Sequence, residues 1–241
     1  MTEELTPTII LSDQQAARSV RTLEALLRLY AEGHRNFSGS DLRGMTVNMI
    51  DKEIKYLDLR EIILNGSNLT AIILSRGNAL KVDLTGSDLS NCNLQGAILN
   101  SCRLDQCNFS NSDLRRANLE SSSCRGSDFI QAKFQTTNNI NGDFTASNFT
   151  KTNFRSSHVA GKFSQANFCG SNFHQATLHH FDSPQADFSD ADLRDIVLST
   201  CVNIKYSYYN HKTKFSKNFD PIAMGMELIE DENDSEDLRV C

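Results

Sequence analysis

From Phe37 onward a Leu or Phe recurs at every fifth residue. One uninterrupted stretch is Leu84, Leu89, Leu94, Leu99, Leu104, Phe109, Leu114 and Leu119, and the series resumes with Phe129, Phe134, Phe144, Phe149 and Phe154. Two positions before each stands a small residue, such as Ser87, Cys92, Ala97, Cys102, Cys107 or Ala117. The position just before is often Asp or Asn, as in Asp88, Asn93, Asn108, Asp113 and Asp128. A period of five is neither the 3.6 of a helix nor the 2 of a strand. Only a chain that turns a corner every five residues puts all these Leu and Phe on one side, which predicts a tube of stacked coils.

The pattern resembles A(D/N)Lxx, the signature of pentapeptide-repeat proteins, from Phe37 to Leu198. The resemblance implies an all-β solenoid, a right-handed quadrilateral β-helix with four pentapeptides to a coil and about eight coils. It also implies that the central Leu/Phe and the small residue point inward. A coil of about 20 residues then aligns Phe109, Phe129, Phe149, Phe168 and Phe188 as an internal aromatic ladder. Each coil packs only on its neighbours, so stability is nearly a sum of local terms.

The register carries faults. The series through Val47 is offset by two residues from the one starting at Ile54, and Val159 to Phe163 is four residues. Ala79, Cys124, Asn139 and Ser183 occupy central positions. A buried Asn139 would need hydrogen-bond partners, so either a bulge over 136–141 releases it to solvent or Ile140 takes its place. The ends predict caps, because stacked coils leave unpaired backbone there. Ser12 with Gln15 forms a capping box for a helix running to Gly33, with Val20, Leu23, Leu27 and Tyr30 on one face. Phe215, Phe219 and Pro221 are expected to cover the last coil. The organisation is thus 1–36, an N-terminal segment with the capping helix; 37–198, the β-helix; 199–226, a C-terminal cap; and 227–241, an acidic disordered tail. Residues 26–42 and 209–226 also resemble cyanobacterial members of the family, among them a regulator of heterocyst differentiation.

Charge changes the picture by its location. The net charge of −6 is carried largely by residues 227–241, where seven acids face one Arg; residues 37–198 hold 17 Asp/Glu against 15 Lys/Arg. Some members of the family mimic B-DNA and bind DNA gyrase, which needs a long acidic surface. Arg103, Arg115, Arg116, Arg125, Lys133, Lys151 and Arg155 interrupt any such surface here, so gyrase binding is the alternative reading. Lys205, Lys212, Lys214 and Lys217 mix with Tyr206, Tyr208 and Tyr209, but edge capping explains them as well as nucleic-acid contact does. No apolar run approaches the ~18 residues of a membrane span, and the acidic N-terminus does not read as a targeting signal. A cytoplasmic protein follows as the expectation. Its seven cysteines, an odd number without CxxC, read as reduced thiols.

The chain holds no Walker motif, no G-x-S-x-G and no G-x-G-x-x-G. His174 and His179 lie a quarter turn apart and project from different faces; His158 and His179 come nearer to stacking. Cys92, Cys102 and Cys107 take inward small-residue slots and belong to the core. The sequence therefore predicts no catalytic, cofactor or metal site. It predicts instead a non-enzymatic scaffold or regulator that binds another protein along a flat side, with Arg115 and Arg116 as the partner-binding residues. The partner and the oligomeric state are not readable. The structural core is expected at Leu84, Leu89, Leu94, Leu99, Leu104, Phe109, Leu114, Leu119, Phe129, Phe149, Phe168 and Phe188.

Overall fold

The computed structural model describes Val20 and residues 22–37, 40–42, 56–58, 62, 64, 81–199 and 201–230. Val47, Ile54, Ala79, the Ser12–Gln15 box and the acidic segment beyond Glu230 lie outside the described residues.

The regular sides are all built the same way. A central residue such as Leu84 is followed by two turn residues, and the small residue Ser87 donates its N–H back to Leu84 O at 3.0 Å. The second turn residue has positive φ: Gly86 at 72°, Asn91 at 56°, Gly96 at 68°, and so around the coils. Positive φ at that position alone defines a type II turn. The Asp or Asn before the central residue fixes the same corner by a local bond. Asp88 Oδ1 accepts from Ser90 N–H at 3.0 Å, Asn118 Oδ1 from Glu120 N–H at 2.9 Å and Asn148 Oδ1 from Thr150 N–H at 3.0 Å. This Asx geometry is the physical reason for the recurrent D/N.

Between coils the backbone runs as a parallel ladder. Leu104 N–H donates to Ser123 O, Phe109 to Asp128 O and Leu114 to Lys133 O. Four sides result, which we name by their central residues. Side A holds Leu84, Leu104, Cys124, Phe144, Phe163, Ser183 and Ile204; side B holds Leu89, Phe109, Phe129, Phe149, Phe168, Phe188 and Tyr209. Side C holds Leu94, Leu114, Phe134, Phe154, Phe173, Leu193 and Phe215; side D holds Leu99, Leu119, Ile140, Val159, Leu178 and Leu198. All twelve expected core residues are buried. The Phe ladder of side B is present, with successive ring centroids at 4.8, 4.8, 5.1 and 4.9 Å. That spacing equals the ~4.8 Å between paired strands, so coil pitch and ring stacking reinforce each other.

The small-residue slot adds a polar ladder inside the tube. Cys107 Sγ donates to Leu84 O at 2.9 Å, Ser127 Oγ to Leu104 O at 2.6 Å and Ser147 Oγ to Cys124 O at 2.6 Å. Ser127 Oγ also accepts from Cys107 N–H at 3.1 Å. Carbonyls that turns leave open thereby satisfy these groups, whereas the buried hydroxyls of Ser112 and Ser171 in the same slot on side C have no partner.

The register faults between Phe134 and Ile204 lie on the two corners that bound side D. Ile140 is buried and Asn139 exposed, so Ile140 takes the core position, the second of the two alternatives. Asn138 is the extra residue, and the next side, Ile140 to Phe144, is shortened to four residues in compensation. Val159 to Phe163 is shortened likewise and stacks on it. With no turn to make, the chain passes the corner from side D to side A as strand: β3 (Ile140–Asp143), β4 (His158–Lys162) and β5 (Thr177–Asp182) form one parallel sheet with β7 (Val197–Leu198). Gly142 and Gly161 permit the close stacking. A Cβ on Gly161, at φ +109°, would lie 2.2 Å from Gly142 O. One coil later Phe181 fills the small-residue slot while Ser183 takes the central one, a swap of large and small. Phe181 stacks on Phe163 at 4.8 Å.

The described helix at the N-terminal end, α1 (Leu23–Ala31), is capped by Thr22, whose Oγ1 accepts from Ala25 N–H at 3.1 Å. The described helix thus begins after Thr22, and the Ser12–Gln15 box lies outside the described residues. Gly33, at φ +98°, ends it, and His34 N–H donates to Leu29 O. Leu26 and Leu29 are buried, flanked by partly buried Leu27 and Tyr30. Two short pairs precede and follow the coils: β1 (Tyr56–Asp58) with β2 (Lys81–Asp83), and β8 (Tyr208–Tyr209) with β10 (Glu227–Leu228). Coiling does not stop at Leu198. β6 (Asp192–Leu193) pairs with β9 (Lys214–Phe215), and Phe215 stacks on Phe219 at 5.0 Å as the chain closes over the last coil.

Candidate partner-binding side

Once the register is fixed, each charged side chain can be assigned to a side. Side C carries Arg115, Arg116, Lys133, Arg155, Arg194, Lys214 and Lys217 against Asp113, Asp192 and Asp195. Among the described residues side B carries Asp88, Asp128, Asp187, Asp190 and Glu227 against Lys151 and Lys212. Among the described residues side A balances four Asp with four Lys/Arg, and those flanking the central positions of side D include one charge, Glu120. A chain of net charge −6 thus presents one basic side and an acidic neighbour. Sequence reasoning treated these charges as interspersed; a 20-residue alignment of the same residues would have separated them.

Arg115 and Arg116 both lie on side C but differ in state. Arg115 is held by its own coil, with Nη2 2.6 Å from Asp113 Oδ2 and Nε 2.8 Å from Asp113 Oδ1. Arg194 repeats the clamp on Asp192 two coils after Arg155, with Nη2 2.7 Å from Oδ2. Partial burial pulls the Asp113 carboxyl upward, but Arg115 and Lys133 outweigh it and hold the group below its ordinary value. Arg194 does the same for Asp192 by direct hydrogen bonding. Arg116, Lys133, Arg155, Lys214 and Lys217 are exposed and have no carboxylate partner among the described residues. Arg116 occupies a positive-φ corner at 61°.

The other chemistry-bearing residues do not converge. His158, His179 and His180 gather on side D with ring centroids 6.3 and 6.2 Å apart. His174 lies on side C, 3.7 Å from Asp195. Among the described residues no three His, Cys, Asp or Glu groups are placed to hold a metal ion. Burial pushes the Cys102 and Cys107 thiols up to about 12, and Cys124 well above its ordinary value, which marks them as core. Cys92, Cys102, Cys107, Cys124 and Cys201 are free, whereas Cys169 is disulfide-bonded, so the reading of every thiol as reduced fails there. A shallow depression on side A is lined by Asp83, Thr85, Arg103, Asp105, Ser123 and Arg125. Its charges are already paired: Arg103 with Asp83 at 3.4 Å, and Ser123 Oγ on Asp105 at 2.6 Å. Ile98 and Val197 both lie on side D but at opposite ends of its row, so they form no patch. No helix among the described residues is long and apolar enough to cross a membrane.

The geometry defines a class, the four-sided parallel β-solenoids built from five-residue sides. The family model for pentapeptide repeats matches residues 57–91, 87–123 and 97–135, with eight copies of the repeat. The chain belongs to the pentapeptide-repeat family, and its fold is the right-handed quadrilateral β-helix of that family. No curated protein matches it. Among solved structures it is similar to a trypsin-treated form of QnrB1, a plasmid-mediated fluoroquinolone resistance protein, at 18% identity over 81% of this chain and 87% of that one, TM-score 0.40. It is similar to HetL of the cyanobacterium Nostoc, a pentapeptide repeat protein involved in heterocyst differentiation regulation, at 19% identity over 78% and 94%, TM-score 0.23. A pentapeptide repeat protein of the Arabidopsis thaliana thylakoid lumen is similar at 24% identity over 49% and 61%, TM-score 0.30. Likenesses of this size bear on nothing beyond the repeat itself.

Proposed function

We propose that the chain is a non-enzymatic scaffold or regulator that binds a protein partner along side C, with Arg115 and Arg116 in the contact. The observation that carries this reading is the segregation of seven Lys/Arg onto one flat side of an acidic protein. A straight row of cations at coil spacing favours an elongated acidic partner surface and steers its approach. The tube interior is filled by Leu, Phe and small side chains, which supports a role carried by the outer surface. The resemblance of residues 26–42 and 209–226 to cyanobacterial members supports a signalling or developmental setting in the cytoplasm.

Reversing Arg115→Glu with Arg116→Glu is expected to abolish capture of the partner from source lysate while circular dichroism stays unchanged. Because Arg115 is clamped by Asp113, Arg116→Glu with Arg155→Glu is the sharper pair. Capture that survives both pairs sinks the reading. The gyrase alternative draws on side B, whose acids are broken by Lys151 and Lys212; a supercoiling assay without inhibition at micromolar protein removes it.

A further inference from the structure

The three imidazoles of side D meet where two stacked sides differ in length. Val159 to Phe163 is four residues and Leu178 to Ser183 is five. Val159 pairs with Leu178 and Gly161 with Phe181, so Ala160 alone stands against His179 and His180. This mismatch is a β-bulge, a feature that re-aims side chains. His158 pairs with Thr177 and so lies diagonally across from His179, with the small residues Ala160 and Thr177 at the other two positions. His158 and His180 are exposed and His179 is half-buried. The ring centroids of His158 and His179 are 6.3 Å apart. Among the described residues none of the three rings has a hydrogen bond or a carboxylate partner, unlike His174 beside Asp195. Two imidazoles that share one ion at ~2.1 Å per nitrogen hold their centroids about 5–6.5 Å apart, depending on the bond angle. His158 and His179 fall in that range with the backbone as it stands.

We propose that His158 and His179 form a two-imidazole site on side D for a divalent late first-row transition metal ion such as Ni²⁺, Cu²⁺ or Zn²⁺. The donors select the class: ring nitrogens suit these ions, whereas Mg²⁺ and Ca²⁺ require oxygen ligands. No three groups share a point there, so the ion binds through two protein nitrogens and keeps water in its remaining positions. Burial, with His158 and His180 alongside, holds His179 below 6.5, which leaves its ring neutral and able to ligate at pH 7. Among the described residues flanking the central positions of side D there is no Lys or Arg to repel a cation. The site lies on a different side from Arg115 and Arg116, so it stands or falls independently of the partner reading.

The test titrates nickel chloride into the full chain and follows it by calorimetry and amide NMR. Paramagnetic Ni²⁺ should broaden the amide signals of His158, Val159, Leu178 and His179 first and leave those of Phe109 and Phe129 on side B sharp. His158→Gln and His179→Gln should each weaken binding roughly 100-fold, because one of two linked donors is lost. His174→Gln and His180→Gln should leave the affinity unchanged. Circular dichroism without metal is expected to be the same for all four variants; should His179→Gln unfold, the exposed His158→Gln carries the test. Absence of both heat and broadening at millimolar nickel overturns the proposal. So does binding that survives His158→Gln, or broadening centred on His174. Cys201 is exposed and free; binding lost on Cys201→Ser but kept on His158→Gln places the ion on that thiol and overturns the proposal as well.

Discussion

Side B and the corner between sides D and A solve the same problem in opposite ways. On side B the coils from Leu89 to Phe188 each end in a type II turn, the rings repeat at coil pitch, and Phe129, Phe149 and Phe168 are each held by a Phe above and below. At the corner the turns are gone, and β3, β4 and β5 run through it as strand, with Gly142 and Gly161 removing the side chains that would collide. Side B tolerates no change of ring volume but leaves its surface residues unconstrained. The corner is constrained in its backbone. The lesson is that the repeat is a rule about corners, and where the corner changes, the residue count of a side changes with it.

The largest expected effect comes from cutting the ladder. Phe149→Ala removes a fully buried ring that stacks at 4.8 and 5.1 Å on its neighbours. It should cost about 3–5 kcal/mol in denaturant unfolding; a loss below about 1 kcal/mol would mean that side B is not the stiff region. Next, Gly161→Ala places a Cβ against Gly142 O at positive φ. A loss of about 3 kcal/mol is expected, whereas Ala at open Gly96 should cost only the positive-φ strain; equal losses would erase the distinction between the two regions. Ser127→Ala leaves Leu104 O and Cys107 N–H short of a partner, for roughly 1–3 kcal/mol. The smallest effect lies on side D. Burial, with His158 and His180 alongside, holds His179 below 6.5. Its unfolded-state pKa is then the higher one, so protons bind the unfolded chain first and this group's contribution falls as pH drops through 6.5. His158→Gln should raise the His179 titration seen by NMR; an unmoved midpoint contradicts the coupling.

The regular coils were legible because a central Leu or Phe needs nothing but its own quintet to be recognised. Cys124 and Ser183 were read correctly as occupants of central positions, and both are buried. The sequence offered two outcomes at Asn139, and Ile140 decided it because stacking on Val159 buries it. The insertion of Asn138 was not legible, since its compensation lies in the length of the following side. Nor was the Phe181–Ser183 swap, which depends on Phe163 one coil away. Past Leu198 the next central residues, Ile204 and Phe215, come after sides of six residues, so the period of five lost a coil that the backbone continues. For the candidate side, Arg115 and Arg116 were visible as cations, but the clamp on Arg115 depends on the turn that brings Asp113 alongside it.

The central claim is a backbone ladder that steps by one coil and slips by a residue where a side is shortened, as between Ile140 and Phe144. Couplings transmitted through hydrogen bonds in deuterated protein report it directly. Phe129 N should couple to the carbonyl carbon of Asn148, nineteen residues on, and Phe144 N to that of Lys162, eighteen on. Finding both steps supports the account; a coupling of Phe144 N to Phe163, or of Phe129 N to a carbonyl within its own quintet, contradicts it.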